Sequence, residues 1–348
     1  MTNKKINVAI NGFGRIGRSF LRSVYLQYKD EINIVAVNDL GDMDNLAYLL
    51  KYDTAQGSTG FDVQASENGE HIMVNGDDIK VFQEKDPSQL PWKEHDIDVV
   101  IESTGFFTEY AKAKAHLDAG AKKVVISAPA KGEKVDGIES GTVIMGVNSE
   151  KLRVCQISSN GSCTTNAGSP LVAILNETVG IEKALLNTTH GYTSTQSIVD
   201  GPVRGSDYRK GRAAAQNIIP TSTGAAIAVT KAIPDLVGKF DGIACRVPVV
   251  AGSIADVTFL AKRDTSVEEI NQILTDAAKT DRWKGIFTVS TEPIVSSDII
   301  GNTHGSIADL PMTRVVDGNL VKVMAWYDNE MGYTNTLIRH TIETAQSL

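Results

Sequence analysis

The sequence predicts an α/β protein of two domains, a doubly wound parallel sheet followed by an α+β domain with a mixed or antiparallel sheet. In the first half, short aliphatic runs alternate with amphipathic stretches at helical spacing, which is typical of a parallel sheet covered on both faces. After about residue 162 the strand-like runs alternate apolar and polar residues, and long loops separate them. The length of 348 residues suits two domains.

The first half supplies the elements of the parallel sheet. Aliphatic runs predict strands at 6–10, 32–38, 98–103, 123–127 and 142–146. Apolar residues at helical spacing predict helices at 15–28 and 108–119. Gly120 follows the second helix and is typical of a C-terminal cap. This order of elements defines a first domain over residues 1–162.

The second half predicts a different layout. A helix is expected from about 169 to 179, and alternating runs predict strands at 184–190, 242–248, 254–260 and 320–327. A last helical pattern covers 333–346. We therefore expect a second domain over residues 163–331, with the segment 332–348 packing back on the first domain.

Composition narrows the class of protein. The chain carries 34 basic and 42 acidic residues, a net charge of −8, which gives no general attraction for nucleic acid or an anionic membrane. The N-terminus lacks the apolar block of a signal peptide, and no apolar run approaches the length of a membrane span. Three cysteines without zinc spacing argue against a disulfide framework or a structural metal. A cytoplasmic protein is expected.

A glycine motif follows the first predicted strand. Gly12-Phe13-Gly14-Arg15-Ile16-Gly17 matches the dinucleotide fingerprint, since a strand precedes it and a helix follows. Its first glycine permits the turn, the second lets backbone approach a pyrophosphate, and the third lets helix pack on strand. Asp39 ends the next strand 22 residues after Gly17. A carboxylate there binds ribose hydroxyls and repels a 2′-phosphate, so a Rossmann-type domain that prefers NAD to NADP is predicted.

A second group of residues involves a thiol. Cys163 lies in the small polar run SSNGSCTTN, and a helix starting just after it would favour the thiolate. His190 closes an aliphatic strand in the same half and is a candidate partner. Each residue alone is also compatible with a purely structural role. The pair is informative only in combination.

Over essentially its whole length, the sequence resembles the phosphorylating glyceraldehyde-3-phosphate dehydrogenases. The similarity is carried by INGFGRIGR (10–18), LLKYD (49–53), STGFF (103–107), ISAPAKG (126–132), SNGSCTTN (159–166), HGYT (190–193), NIIPTSTGAA (217–226), RVP (246–248) and WYDNEMGY (326–333). The resemblance implies NAD-dependent oxidation of D-glyceraldehyde 3-phosphate, with inorganic phosphate as second substrate. It also implies a homotetramer, with the loop 195–217 at a subunit interface.

The resemblance implies a role for each matching residue. Cys163 would be the nucleophile that forms a thiohemiacetal, and His190 the base. The residues implied in phosphate binding are Ser162, Thr164, Thr223 and Gly224 for inorganic phosphate, and Thr193 and Arg246 for the substrate. Those implied in NAD binding are Arg15 and Ile16 at the pyrophosphate, Asp39 at the ribose, and Lys85, Ser127 and Asn329, the last at the nicotinamide carboxamide.

The sequence departs from the family pattern at a few positions. Ala167 replaces a second cysteine, so no disulfide can form there. Gly191 stands where serine or alanine is usual beside the base, and it could loosen the backbone. Ile227 replaces a lysine, with no predictable effect. The loop 200–217 keeps Arg209 and Arg212, and its relation to a neighbouring cofactor site is open.

Three other functions are compatible with parts of this pattern. The nearest is a sister enzyme that oxidises erythrose 4-phosphate, although that group departs from the STGAA stretch retained at 222–226. A binding protein that uses the nucleotide fold for RNA or protein partners would not need Cys163 and His190. A cysteine hydrolase or acyl transferase would not need NAD.

Overall fold

The computed structural model describes residues 4–203 and 205–348. Residues 1–3 of the predicted first domain and Arg204 of the loop 200–217 lie outside the described residues. The chain divides into two compact units. The first comprises the described residues up to Val143 together with Asn148–Gly161 and Leu337–Leu348, and the second comprises Ile144–Val147 and Ser162–Thr336.

The first unit is an α/β structure. Its strands are β1 (Ile6–Asn11), β2 (Ile32–Asn38), β3 (Val63–Ala65), β4 (His71–Val74), β5 (Asp77–Phe82), β6 (Val99–Glu102), β7 (Lys123–Ile126), β8 (Ser140–Thr142) and β9 (Ile157–Ser159). Its helices are α1 (Arg15–Ser23), α2 (Met43–Lys51) and α3 (Tyr110–Asp118), and a π-helical turn at Val24–Tyr28 extends α1. Within the described residues these strands form one nine-stranded sheet in the order β3-β4-β5-β2-β1-β6-β7-β9-β8.

The sheet of the first unit is parallel from β5 to β8, and only the hairpin strands β3 and β4 run antiparallel to their neighbours. Strand β1 lies in the middle, with β2 on one side and β6 on the other, so the chain winds in both directions from it. In such sheets ligands bind at the carboxyl ends of the strands, where the winding direction changes. That edge carries the glycine motif.

The second unit is α+β. Its strands are β10 (Ile181–Gly191), β11 (Ile219–Ser222), β12 (Phe240–Val247), β13 (Ser253–Ala261), β14 (Phe287–Ser290), β15 (Ser306–Asp309), β16 (Arg314–Val316) and β17 (Leu320–Tyr327). Its helices are α4 (Cys163–Thr178), α5 (Ala225–Ala232) and α6 (Val267–Ala278). The sheet is mixed, because β10 pairs parallel with β12 but antiparallel with β13. The predicted fold class is confirmed.

The final helix, α7 (Met331–Ala345), ends the chain, and its residues from Leu337 onward belong to the first unit. There the buried His340 Nε2 lies 2.7 Å from Ser158 Oγ, and Lys123 Nζ donates to Ser347 Oγ at 2.8 Å. The segment is therefore held by buried polar contacts as well as by Leu337 and Ile338, which are fully buried.

Several predicted elements need correction. The run 142–146 was expected to be a strand, but β8 ends at Thr142 and residues 143–146 form a loop and turn. Its aliphatic residues are buried in that loop, and an apolar run produced by burial was therefore interpreted as a strand. The helix expected from 169 begins six residues earlier, at Cys163, because Ser162 caps it there. The short strands β3, β4, β5 and β9 and helix α2 were not predicted.

Among the residues that the structure describes, no helix combines the length and the apolar character needed to cross a bilayer.

Candidate active site

The three glycines of the motif have different surroundings in the first unit. A Cβ on Gly12, whose φ is +95°, would lie 2.6 Å from the Thr104 nitrogen. A Cβ on Gly17 would lie 2.2 Å from the Gly12 carbonyl oxygen. A Cβ on Gly14 would meet nothing within 4 Å. Two glycines therefore serve packing, whereas the third opens a space beside the start of α1, where backbone N–H groups have no intrahelical acceptor.

Asp39 holds the glycine loop from the neighbouring strand. Its Oδ2 accepts a hydrogen bond from the Phe13 nitrogen at 2.7 Å, and its Oδ1 accepts one from the Gly41 nitrogen at 2.8 Å. Each carboxylate oxygen keeps a further lone pair, and the side chain is half-buried, so it can still accept from ligand hydroxyls. The next residue, Leu40, is apolar and 56% exposed, so position 40 offers no positive charge to a 2′-phosphate.

The remaining predicted cofactor residues of the first unit are spread along the same edge. Arg15 and Ile16 form the first turn of α1, and the Arg15 guanidinium pairs with Asp53. Desolvation raises the pKa of Asp53, but its hydrogen bonds and the charges of Arg15 and Arg22 outweigh this and hold it below its ordinary value. Ser127 directly follows β7.

Lys85 is exposed, and no contact places it at the site.

A buried polar network lies beneath the glycine loop, and the sequence did not reveal it. Glu102 at the end of β6 accepts hydrogen bonds from Asn11 at 2.5 Å and from the Thr104 nitrogen at 2.9 Å, and His116 Nε2 lies 3.0 Å from the same carboxylate. Trp92 Nε1 donates to His116 Nδ1 at 3.0 Å, so His116 carries its hydrogen on Nε2 and donates it to Glu102. The network joins the carboxyl ends of β1 and β6 and fixes the base of the loop.

In the second unit, Cys163 and His190 form a pair. Ser162 caps α4 by accepting from the Thr165 nitrogen at 3.1 Å, so Cys163 is the first residue of the helix and lies at its positive end. His190 is near the end of β10 and is 2% exposed. Its Nε2 lies 3.3 Å from Cys163 Sγ. Cys163 is intermediate in exposure as a residue.

Burial sets the resting charge of this pair. Desolvation raises the pKa of the Cys163 thiol, although the Arg246 charge and hydrogen bonds at the start of α4 act in the opposite direction. Desolvation and the Arg246 charge lower the pKa of His190 to about 3. Both shifts favour a neutral thiol beside a neutral imidazole. Such a pair suits transfer of the thiol proton to the imidazole during nucleophilic attack.

Arg246 reaches the other side of the imidazole. The register of β10 and β12 places Arg246 opposite His190. Its Nη1 lies 2.7 Å from His190 Nδ1 and donates to the Gly191 carbonyl oxygen at 3.1 Å. Gly191 was expected to loosen the backbone beside the base. It is the last residue of β10, and its nitrogen donates a hydrogen bond to Ser253 Oγ at 3.1 Å.

Asn329 belongs to the same set of contacts. Its Oδ1 accepts from Ser253 Oγ at 2.9 Å and from the Gly252 nitrogen at 3.1 Å. With the oxygen occupied, the side-chain NH₂ group is the part of Asn329 that can serve a ligand, and it can donate to a carboxamide oxygen. Ser253 therefore connects Asn329 with Gly191, next to the base.

Tyr327 packs against the pair from β17. Its ring meets the His190 ring edge to face at a centroid distance of 5.9 Å, and Cys163 packs against the cluster that Tyr327 forms with Ala167 and Ala255. Its hydroxyl lies 2.9 Å from Thr164 Oγ1 and 2.7 Å from Thr188 Oγ1. Burial raises the pKa of the Tyr327 hydroxyl, which therefore stays protonated.

The residues predicted to bind phosphate differ in how available they are to a ligand. Thr223 and Gly224 open helix α5, where the N-terminal N–H groups favour an anion, and Gly224 is exposed. The hydroxyls of Ser162 and Thr164 are engaged within the protein, in the cap of α4 and with Tyr327. Thr193 follows β10, and its Oγ1 lies 3.0 Å from that of Thr195.

The structure shows the surroundings of two residues that depart from the family pattern. Ala167 is fully buried one turn after Cys163 and packs with Ala255 and Tyr327, where a small side chain fits. Ile227 is 63% exposed on α5.

Sequence reasoning missed the contact roles of Tyr327, Ser253, Glu102 and His116. Tyr327 lies within the WYDNEMGY stretch, so the motif pointed to its neighbourhood, whereas Ser253 carried no local signal. No group of His, Cys, Asp and Glu suited to a metal ion occurs among the residues that the structure describes.

Comparison with known proteins gives matches over nearly the whole chain. Residues 6–110 match the family described as "Glyceraldehyde 3-phosphate dehydrogenase, NAD binding domain", and residues 162–329 match "Glyceraldehyde 3-phosphate dehydrogenase, C-terminal domain". The chain is 48% identical to the glyceraldehyde-3-phosphate dehydrogenase of Clostridium acetobutylicum, over 95% of this chain and 96% of the relative. It is 45% identical to that of Priestia megaterium, over 96% of both chains.

Proposed function

Because the chain belongs to the glyceraldehyde 3-phosphate dehydrogenase family, we propose that Cys163 and His190 are its catalytic nucleophile and base. The protein is an NAD-dependent dehydrogenase that oxidises D-glyceraldehyde 3-phosphate and phosphorylates it to 1,3-bisphosphoglycerate. The distance of 3.3 Å between Cys163 Sγ and His190 Nε2, at the first residue of a helix, carries the assignment of the two roles.

Catalysis begins at the sulfur. As Cys163 Sγ attacks the aldehyde carbon, its proton passes to His190 Nε2 and then to the developing alkoxide, which gives a thiohemiacetal. His190 next removes the hydroxyl proton while the carbon gives up a hydride, and a thioester remains. NAD⁺, when bound, supplies the hydride acceptor. A phosphate oxygen then attacks the thioester carbon, the C–S bond breaks, and the acyl phosphate leaves.

The phosphate sites follow from charge and from helix ends. Arg246 is the cation beside the pair and is proposed, with Thr193, to bind the phosphate of the substrate. Thr223 and Gly224 at the start of α5 are proposed to receive the attacking phosphate. Since the hydroxyls of Ser162 and Thr164 are engaged internally, we propose that these residues contribute mainly by shaping the start of α4.

The first unit fits a dinucleotide. The open space at Gly14 and the first turn of α1 suit a pyrophosphate, and Asp39 has lone pairs left for ribose hydroxyls. Leu40 and Phe106 are large, exposed apolar side chains that follow β2 and β6, and they are proposed to flank the adenine. Asn329 is proposed to donate to the nicotinamide carboxamide. Ser127 and Lys85 remain proposed cofactor contacts.

The sheet of the second unit carries an exposed apolar face that supports self-association, as the proposed homotetramer requires. Leu185, Ile243 and Leu320 leave 66%, 54% and 40% of their surfaces exposed, and Leu185 shares a groove with each of the other two. Asp241 and Lys322 beside them supply charges of both signs, as a self-complementary surface needs. We propose that this face is covered by another copy of the chain.

Three further assignments complete the proposal. Residues 1–162 with 332–348 are proposed to act as the NAD domain, and 163–331 as the catalytic domain. A catalytic thiol must stay reduced, which supports a cytoplasmic location. The net charge of −8 supports the absence of a nucleic-acid partner.

The test of the catalytic roles measures NADH absorbance with D-glyceraldehyde 3-phosphate, with and without inorganic phosphate. Cys163→Ser should lose at least about a thousandfold in rate, because a hydroxyl is a far weaker nucleophile than a thiolate. Cys245→Ser is the matched control, since Cys245 is also partly exposed and one residue from Arg246. Near-normal turnover by Cys163→Ser would refute the assignment, and faster oxidation of erythrose 4-phosphate would overturn the substrate.

A further inference from the structure

A chain of buried side chains runs beneath the glycine loop, across the carboxyl ends of β2, β1 and β6. Asn38 Nδ2 donates to Asn11 Oδ1 at 2.6 Å, and Asn11 Nδ2 donates to Glu102 Oε2 at 2.5 Å. The same carboxylate oxygen accepts from His116, which in turn accepts from Trp92. All five side chains are buried, and we call them together the strand-end network. Buried polar groups are stable only when they are hydrogen-bonded, so each member fixes the position of the next.

One end of the strand-end network holds the turn that follows β6. Glu102 Oε1 accepts from the Thr104 nitrogen at 2.9 Å and from Thr104 Oγ1 at 2.5 Å. The same hydroxyl oxygen accepts from the Phe106 nitrogen at 3.0 Å. The His116 ring also meets the Phe107 ring edge to face, at a centroid distance of 6.4 Å. The backbone of Phe106, which is exposed and proposed to flank the adenine, is therefore set by Glu102 through one hydroxyl group.

The other end of the network reaches the strand ends on the opposite side of β1. Asn38 lies directly before Asp39, the proposed ribose contact. Its Oδ1 accepts from the Glu84 nitrogen at 2.8 Å, and its Nδ2 donates to the Glu84 carbonyl oxygen at 2.9 Å, directly before Lys85. The network thus holds the backbone beside three residues that are proposed to contact NAD, which are Asp39, Lys85 and Phe106.

We propose that Asn38, Glu102 and Thr104 are positioning residues that align, through the strand-end network, the contacts for the adenosine half of NAD as one unit. This inference rests on the proposed NAD contacts named above. When these contacts are held in place before the cofactor arrives, binding does not bear the entropy cost of ordering them. The network lies in the first unit, whereas Cys163 and His190 lie in the second. Its loss should therefore weaken cofactor binding and leave the chemical steps of the bound complex unchanged.

The test compares Thr104→Val with Thr104→Ser in the full-length protein. Valine keeps the shape of threonine but breaks the hydroxyl link between Glu102 and Phe106, whereas serine retains it. Calorimetric titration gives Kd for ADP-ribose, which carries the adenosine half without nicotinamide. Thr104→Val should raise Kd for ADP-ribose and for NAD about fivefold, the effect of losing one hydrogen bond, and Thr104→Ser should stay within about twofold of the wild type. In both variants kcat at saturating NAD should change by less than about twofold.

A variant at the other end tests whether the network acts as one unit. Asn38→Ala should also raise Kd for ADP-ribose about fivefold. The protein carrying both Asn38→Ala and Thr104→Val should lose clearly less than the product of about 25-fold that independent sites would give, because both changes break the same network. Effects that multiply would refute the joint alignment.

Two further outcomes separate the possible failures. A lower Tm of Thr104→Val with an unchanged Kd for ADP-ribose, while Asp39→Ala weakens binding, would show that the network only stabilises the fold and would overturn the inference alone. If Asp39→Ala also leaves Kd for ADP-ribose unchanged, the proposed NAD contacts fail, and the inference falls with them.

Discussion

The glycine loop gives a prediction in which two similar substitutions affect different properties, one the stability of the protein and the other its affinity for NAD. In Gly17→Ala the new Cβ would lie 2.2 Å from the Gly12 carbonyl oxygen and 3.0 Å from Ile10 Cγ2, so the loop or the helix must shift by about 1 Å. Overpacking of this kind costs about 3 kcal/mol, and the better helix propensity of alanine returns about 1 kcal/mol. The net loss of about 2 kcal/mol corresponds to a fall in Tm of roughly 4–8 °C.

Gly14→Ala should behave differently, because its Cβ meets nothing within 4 Å and its φ of −70° suits any residue. Its Tm should change by at most a few degrees, since replacing an N-cap glycine costs under about 1 kcal/mol. The methyl group would, however, occupy the space proposed for the pyrophosphate, and Kd for NAD should rise at least about tenfold. Calorimetry gives Tm and titration gives Kd. Unchanged NAD affinity in Gly14→Ala, or an unchanged Tm in Gly17→Ala, would refute the reasoning.

Three other changes test separate parts of the structure. Asp39→Asn removes the charge that repels a 2′-phosphate, so the preference for NAD over NADP, measured as a ratio of kcat/KM, should fall at least about tenfold; an unchanged ratio would show that other residues set it. Ser253→Ala breaks the link between Asn329 and Gly191, so kcat should fall roughly tenfold with a loss of stability of only about 1 kcal/mol; a variant with unchanged kcat would show that the link is merely structural. Burial lowers the pKa of His340 to about 3, so the unfolded chain binds the proton first as the pH falls below about 6.5. This histidine should therefore cost about 2 kcal/mol of stability at pH 5, and urea unfolding of His340→Gln should show a smaller loss between pH 7 and 5; an equal loss would contradict the shift.

Local patterns in the sequence were sufficient for the parallel sheet. The aliphatic runs of β1, β2, β6 and β7 lie within a residue or two of their predicted positions, because a strand buried on both faces needs apolar residues throughout. The run 142–146 fails for an instructive reason. Val143, Ile144 and Met145 are buried in a loop, and burial alone produces the same apolar pattern as a strand.

The start of α4 shows how a side-chain cap decides a boundary. The small polar residues from Ser162 onward have no helical periodicity, so the pattern suggested a start near 169. Ser162 and Thr165 form reciprocal hydrogen bonds that begin the helix at Cys163. The thiol consequently lies at the positive end of the helix rather than in a preceding turn.

The sequence by itself determined the α/β class, the glycine loop and the family resemblance, because these depend on residue types at fixed short spacings. It also indicated Cys163 and His190 as candidates. Only the tertiary structure decided what surrounds them. Arg246 meets His190 because the register of β10 and β12 aligns them, although 56 residues separate them along the chain. Ser253, Asn329 and Tyr327 reach the same place through the pairing of β13 with β10 and β17. Strand register depends on long-range packing, which no local spacing encodes.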